Sequence, residues 1–273
     1  MLPTVQTVHQ VAVQGAYPGG VRRQRAFFDH PLPLAFAHRG GSAEATENSW
    51  AAFEHAVALG YSYVETDVRA TSDGVPVAFH DPRLERLTSS SGLLRATDWQ
   101  RLSRLRLPDG SAVPKLEDLL GTWPALRWNI DVKRPEAAVP VVEAIKRTKA
   151  QDRVLLTAFS AWRIARLRAA LGPATVTGTS RWGVAALLVA RYAGLSLVWA
   201  RASAVQVPIS HRGLRVVDAP FVRTCHRAGA QVHVWTVDEP AEMECLLDLG
   251  VDGLMTDRPS ALRELLAGRG QWP

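Results

Sequence analysis

Two acids, two positions apart, give this chain its first hint of chemistry. Glu65 and Asp67 stand in the run Val64-Glu65-Thr66-Asp67-Val68. In extended backbone alternate side chains share a side, so both carboxylates point the same way. On an otherwise apolar strand such a pair costs several kcal/mol in desolvation and repulsion unless a cation or base compensates. The plain alternative is a surface strand carrying two solvated acids. A third acid, Asp131, follows Trp128-Asn129-Ile130, and Lys133 lies two residues further along, again on one face of a strand. Carboxylates with no Cys or paired His beside them select a hard divalent cation, Mg²⁺ or Ca²⁺, rather than structural zinc.

Two histidines end apolar runs: His38 in Ala37-His38-Arg39-Gly40-Gly41 and His80 in Phe79-His80-Asp81-Pro82. An imidazole titrates near neutrality, so a pair beside a metal can divide a displacement, one accepting the nucleophile's proton and the other donating to the leaving oxygen. A lone histidine at a strand end is more often structural, but two beside a carboxylate cluster reverse that preference. Arg39 and Lys133 add permanent positive charge, which suits the negative charge that gathers on a phosphodiester during displacement.

Those side chains meet only if their strands are neighbours in a parallel barrel with its site at the C-terminal mouth. Short apolar runs recur at the required intervals: Leu34 to His38, Tyr63 to Asp67, Arg127 to Val132, Val154 to Ala158, Ala174 to Gly178, Ala204 to Pro208, Gln231 to Trp235 and Gly253 to Thr256. Amphipathic stretches between them predict helices at Glu47 to Leu59, Glu136 to Lys149, Ala161 to Leu171, Trp182 to Ala193, Pro220 to Ala228 and Glu239 to Leu249. The pattern is that of an α/β chain, a (β/α)8 TIM barrel over residues 31–273 behind an N-terminal arm over 1–30. Thr71-Ser72-Asp73-Gly74 leaves no room for a crossover helix, so a β-hairpin extension is expected after the second strand, with His80 roughly opposite Asp67.

The bulk numbers are consistent with this. At 273 residues, 47% hydrophobic and 21% charged, the chain can bury a substantial core. A net charge of +6 admits phosphate-bearing substrates, but its arginines are dispersed, with no basic block interleaved with aromatics, so no nucleic acid is expected as a partner. Cys225 and Cys245 show no metal or redox spacing. The N-terminus lacks a signal-peptide pattern, and Arg191 and Gly194 interrupt the apolar stretch from Val184 to Ala200. A cytoplasmic protein without a transmembrane segment is the expectation.

With these residues assembled, the sequence resembles the glycerophosphodiester phosphodiesterase family from about Leu34 to Pro259. HRGG, TENSWAAF, VETDVRATSDGVPVAFHD, PKLEDLL, WNIDVK, VHVWTVD and GVDGLMTDRP follow in the family's order. Each is weak alone; the ordered set is highly specific. The resemblance implies a phosphodiesterase-type barrel with His38 and His80 as the acid/base pair, Glu65 and Asp67 on the metal, and Arg39 and Lys133 near the phosphate. Glu47, in the place of the family's PENT glutamate, would support His38. The sequence departs from the pattern at Thr46, Ser49, Asp238 and above all Asp131, where the family usually has Glu, so that this carboxylate is set one methylene further back. Trp235 looks like the family's aromatic at the mouth, with ordinary barrel packing the alternative, and the same choice holds for Phe159. Asp257 reads as a cap or turn residue.

The expected reaction is hydrolysis of a glycerophosphodiester to sn-glycerol 3-phosphate and an alcohol, through attack by water or by the adjacent glycerol hydroxyl. Two alternatives are lysophospholipase D-like action on a lysophospholipid, and a catalytically silent barrel that binds phosphorylated ligands.

Overall fold

The computed structural model describes residues 26–193 and 203–273. Most of the N-terminal arm expected over 1–30, and the end of the apolar stretch expected to reach Ala200, lie outside the described residues. The strands are β1 (Leu34–Ala37), β2 (Tyr63–Ala70), β3 (Pro76–Ala78), β4 (Arg127–Val132), β5 (Val154–Thr157), β6 (Val176–Thr177), β7 (Ala204–Val207), β8 (Ser210–His211), β9 (Leu214–Arg215), β10 (Gln231–Val234) and β11 (Gly253–Thr256). The helices are α1 (Trp50–Ala58), α2 (Trp99–Leu102), α3 (Leu116–Thr122), α4 (Ala138–Arg147), α5 (Ala161–Leu171), α6 (Arg181–Ala193), α7 (Ala219–Arg227), α8 (Pro240–Asp248) and α9 (Pro259–Gly268).

Eight parallel strands run in the order β6-β5-β4-β2-β1-β11-β10-β7, and a parallel bridge between Gly178 and Ala204 brings the two ends of the sheet together as a nearly closed TIM barrel. Such strands are covered on both faces, which is why they read as continuous apolar runs. In β2 alternation sorts the side chains: Val64 and Val68 join the layer between sheet and helices, while Tyr63 packs inside with Leu34, Phe36, Leu155 and Met255. Phe27, just before the barrel, is fully buried in that inner cluster, and its carbonyl accepts from the Tyr63 hydroxyl at 2.6 Å.

β3 pairs antiparallel with the end of β2. Asp67 O accepts from Phe79 N at 2.9 Å, so Phe79 rather than His80 stands opposite Asp67. The expected register is off by one because the turn is centred on Asp73 itself and not between Asp73 and Gly74. The chain from β3 to α3 then builds its own small core from Val77, Phe79, Leu84, Leu94, Leu102 and Val113 beside the barrel mouth. α1 begins later than the expected Glu47, because Ser49 Oγ accepts from Ala52 N at 3.1 Å and caps it there. Among the described residues no helix is long and apolar enough to cross a membrane.

Candidate active site

The C-terminal ends of the barrel strands surround a pocket of about 650 Å³. His38, Arg39, Glu65, Asp67, His80, Asp131, Lys133, Phe159 and Trp235 all line it, and Glu47 stands just behind. Strand pairing explains the convergence. Asp67 and Asp131 are register partners on β2 and β4, and β1, which delivers His38, is the neighbour of β2 on its other side.

After β1 the backbone turns through left-handed conformations at Arg39 (φ 52°), Gly40 (φ 83°) and Gly41 (φ 106°). This turn aims the Arg39 N–H at Glu65 Oε2, 3.1 Å away. The non-glycine Arg39 is held in that unusual conformation by Asn48 N, which donates to Arg39 O at 2.9 Å. Asn48, 1% exposed, also accepts from Thr66 Oγ1 at 2.7 Å and donates to Asp67 Oδ2 at 3.4 Å. It therefore ties the turn to the acid-bearing strand.

Each histidine is oriented by a carboxylate. His38 Nδ1–H donates to Asp257 Oδ1 at 2.7 Å, and His80 Nδ1–H donates to Asp81 Oδ1 at 2.6 Å. With Nδ1 protonated by that bond, each neutral ring carries its lone pair on Nε2. His38 Nε2 lies 3.7 Å from Glu65 Oε2. Burial alone would lower the His38 pKa, but Glu65 and Asp257 outweigh it and hold it above 6.5. Asp257 follows β11, which lies beside β1, and it is this pairing that makes it a partner of His38 and not merely a turn residue. Sequence reasoning read Asp257 only as a cap or turn residue and passed over Asp81 and Asn48. The adjacency of Asp81 to His80, and the position of Asp257 just past the last barrel strand, are the signals that could have found the first two.

The cations and acids interlock. Lys133 Nζ lies 2.5 Å from Asp67 Oδ1 and 2.6 Å from Asp131 Oδ2. Arg39 Nε lies 2.9 Å from Asp67 Oδ2, an ion contact whose N–H is not aligned as a hydrogen bond. Glu47 accepts from Arg39 at 3.2 Å and from Arg86 at 2.7 and 2.8 Å, and Arg86 reaches Asp81 at 2.5 Å. Burial pushes Asp67 up, yet Lys133 and Arg39 bring it below the ordinary carboxylate value. Glu65 is moved the other way, to about 7, by burial and by the charge of Asp67. Asp131 is also raised, by burial, despite Lys133.

This charge distribution tests the donor set against a hard cation. Glu65, Asp67 and Asp131 offer only oxygen, and Glu65, unlike the other two, has no Lys or Arg ion-pair partner among the described residues. Among the described residues no three ligating groups stand at metal-holding distance, and the Lys133 ammonium bridges two of the acids. A cationic group already occupies this place, and three carboxylates around one pocket fit a divalent ion in charge and chemistry.

Comparison with known proteins agrees with the geometry. The model of the glycerophosphoryl diester phosphodiesterase family matches residues 38–261. The chain is 41% identical over 251 residues to the "Probable glycerophosphodiester phosphodiesterase 2" of Mycobacterium tuberculosis, covering 90% of this chain and 95% of that one. It is 28% identical to the glycerophosphodiester phosphodiesterase of Caldanaerobacter subterraneus subsp. tengcongensis, covering 87% and 99%. The Oleispira antarctica phosphodiesterase OLEI02445, solved with the product sn-glycerol-3-phosphate, shares the fold at TM-score 0.73 and 24% identity, over 86% of this chain and 97% of that one. A barrel of this order, with two carboxylate-oriented histidines beside three acids, is matched by that family model over most of its length: the chain belongs to the glycerophosphoryl diester phosphodiesterase family and is a phosphoric diester hydrolase.

Proposed function

We propose that this barrel hydrolyses glycerophosphodiesters to sn-glycerol 3-phosphate and an alcohol, with His38 and His80 as the acid/base pair. Glu65, Asp67 and Asp131 would hold one divalent cation, Mg²⁺ or Ca²⁺, and Arg39 and Lys133 would face the phosphate. The observation that carries this reading is the pair of imidazoles, each fixed at Nδ1 by a carboxylate and both lining one pocket with the acid and cation cluster. When bound, the cation supplies Lewis-acid polarisation of a phosphate oxygen.

The chain's own residues do the rest. One imidazole accepts a proton at Nε2 from the attacking water, or from the adjacent glycerol hydroxyl, as the new O–P bond forms. The other, protonated at Nε2, gives its proton to the departing alkoxide as the old P–O bond breaks, so the proton inventory of the site is restored over the cycle. Where the glycerol hydroxyl attacks, water opens the resulting cyclic phosphate in a second displacement with the two imidazoles exchanging roles. Asp257 and Asp81 stabilise the imidazolium in each case, as in other carboxylate–histidine pairs. Arg39 and Lys133 offset negative charge on the phosphoryl oxygens.

The test is turnover of glycerophosphocholine and glycerophosphoglycerol by purified protein, before and after chelation and with Mg²⁺ or Ca²⁺ restored. His38→Ala and His80→Ala should each cut turnover by roughly 10²-fold or more with the fold unchanged by circular dichroism. Near-normal rates in both variants would remove the histidines from the reaction. Absence of turnover under every divalent ion would favour a ligand-binding barrel.

A further inference from the structure

The pocket has two unlike walls. On one side stand its acids, Glu65, Asp67 and Asp131, all from β2 and β4. On the other, α6 contributes Arg181, Val184 and Leu188, the β8–β9 hairpin Arg212 and the segment after β9 Val216, and no Asp or Glu among the described residues lines that side. A glycerol moiety and the scissile phosphate suit the polar half, so the second alcohol of a diester is left to meet the arginine-bearing wall.

Three observations fix the charge preference of that wall. The Arg181 guanidinium lies over the Phe159 ring, 4.4 Å from its centroid. An aromatic face is what would draw a quaternary ammonium, and here a cation already covers it, so a choline or ethanolamine headgroup would meet like charge instead. Among the described residues, neither Arg181 nor Arg212 is paired with an acid, so both guanidinium forks keep their donors for a ligand. Arg212 also occupies the first central position of a two-residue hairpin turn with φ 50°, followed by Gly213 at φ 79°. Turns of this kind favour Asn, Asp or Gly at that position, and a long β-substituted side chain there is strained, yet this one reaches the pocket.

We propose that Arg181 and Arg212 form an anion-selective subsite, and that the preferred substrates are glycerophosphodiesters whose second alcohol itself carries a phosphate. This rests on the diesterase reading above and adds to it the class of leaving alcohol. The guanidinium groups hold the extra phosphate while Val184, Leu188 and Val216 cover its carbon skeleton.

The experiment compares kcat/KM for sn-glycero-3-phosphocholine, sn-glycero-3-phosphoglycerol and the same glycerol diester bearing a terminal phosphate. The expected order is phosphate-bearing, neutral, cationic, with about a tenfold or larger span at low salt that narrows as salt is raised. Arg181→Glu and Arg212→Glu should each shrink the span at least about fivefold, while Arg181→Lys, which keeps the charge, should retain most of it. An equal or reversed order in the wild type, or a span unmoved by both Glu variants, overturns the proposal. Calorimetric binding of the three diesters to the His38→Ala/His80→Ala double variant separates the two readings. If the wild type hydrolyses none of the three diesters under any divalent ion but binding to the double variant still follows the expected order, the diesterase reading falls and the subsite stands; unranked binding sinks the subsite.

Discussion

At His38 burial and charge pull in opposite directions, and charge wins: the imidazole is held above its ordinary pKa by Glu65 and Asp257 against the desolvation that would lower it. Removing the Asp257 charge should reverse that balance. In Asp257→Asn the His38 pKa falls, so the limb of the kcat/KM profile that reports His38 moves to lower pH, and turnover drops by roughly 10²-fold as the ring loses its fixed tautomer. A pH–rate profile indistinguishable from wild type would show that Asp257 only closes a turn. The types of the acids, histidines and cations at this scale were legible in the sequence, and so was the shared direction of Glu65 and Asp67, because a two-residue period is local. The partners of each group were not. Asp257 lies 219 residues from His38, and the Lys133 bridge between Asp67 and Asp131 depends on two strands lying side by side in one register.

The element that most controls the site is the turn after β1. A Cβ on Gly40 would fall 2.7 Å from Ala52 Cβ and 2.9 Å from Ala52 C, so the obstacle includes the backbone of α1 and cannot swing aside. Gly40→Ala would also force a side chain into a left-handed conformation, for a combined cost of roughly 2–4 kcal/mol. Thermal unfolding should show Tm lowered by roughly 5–10 °C, with weaker substrate binding as Arg39 is displaced; an unchanged Tm would mean the turn relaxes freely. Most barrel strands could be read from sequence because both faces are covered. β6 is only two residues long, where a five-residue run from Ala174 to Gly178 was expected. α3, a short helix in the long connection between β3 and β4, and α9, whose Leu262 and Leu266 pack on the core, lie outside the six helices expected from periodicity.

At the scale of the whole molecule, the barrel interior holds a histidine that the proposed function does not use. His233 is fully buried, and burial lowers its pKa to about 4. Its Nε2–H donates to Gln231 Oε1 at 3.0 Å, and its Nδ1 accepts from Gln206 Nε2 at 3.2 Å, so the neutral ring is satisfied on both sides. An unfolded chain takes up the proton near 6.5 while the native ring stays neutral down to about 4. The unfolded state therefore binds more protons in that window, and stability falls as pH falls through it, by on the order of 3 kcal/mol in full. Urea unfolding at pH 7 and pH 4.5 should show a smaller acid loss in His233→Gln than in wild type, and equal losses would assign acid sensitivity to other groups.

The sequence alone determined which residue types were available, the alternation that sends Glu65 and Asp67 to one side, and the run of strands that a barrel needs. Tertiary structure decided who meets whom. Register between β1 and β11 sets Ala37 beside Thr256 and so delivers Asp257 to His38. The loop after β5 and the start of α6 meet at the mouth, which brings Arg181 over Phe159. The physical reason is one of range: side-chain direction follows from backbone geometry within a few residues, whereas pairing of charges depends on the closure of the sheet, which joins segments with no local signal of each other.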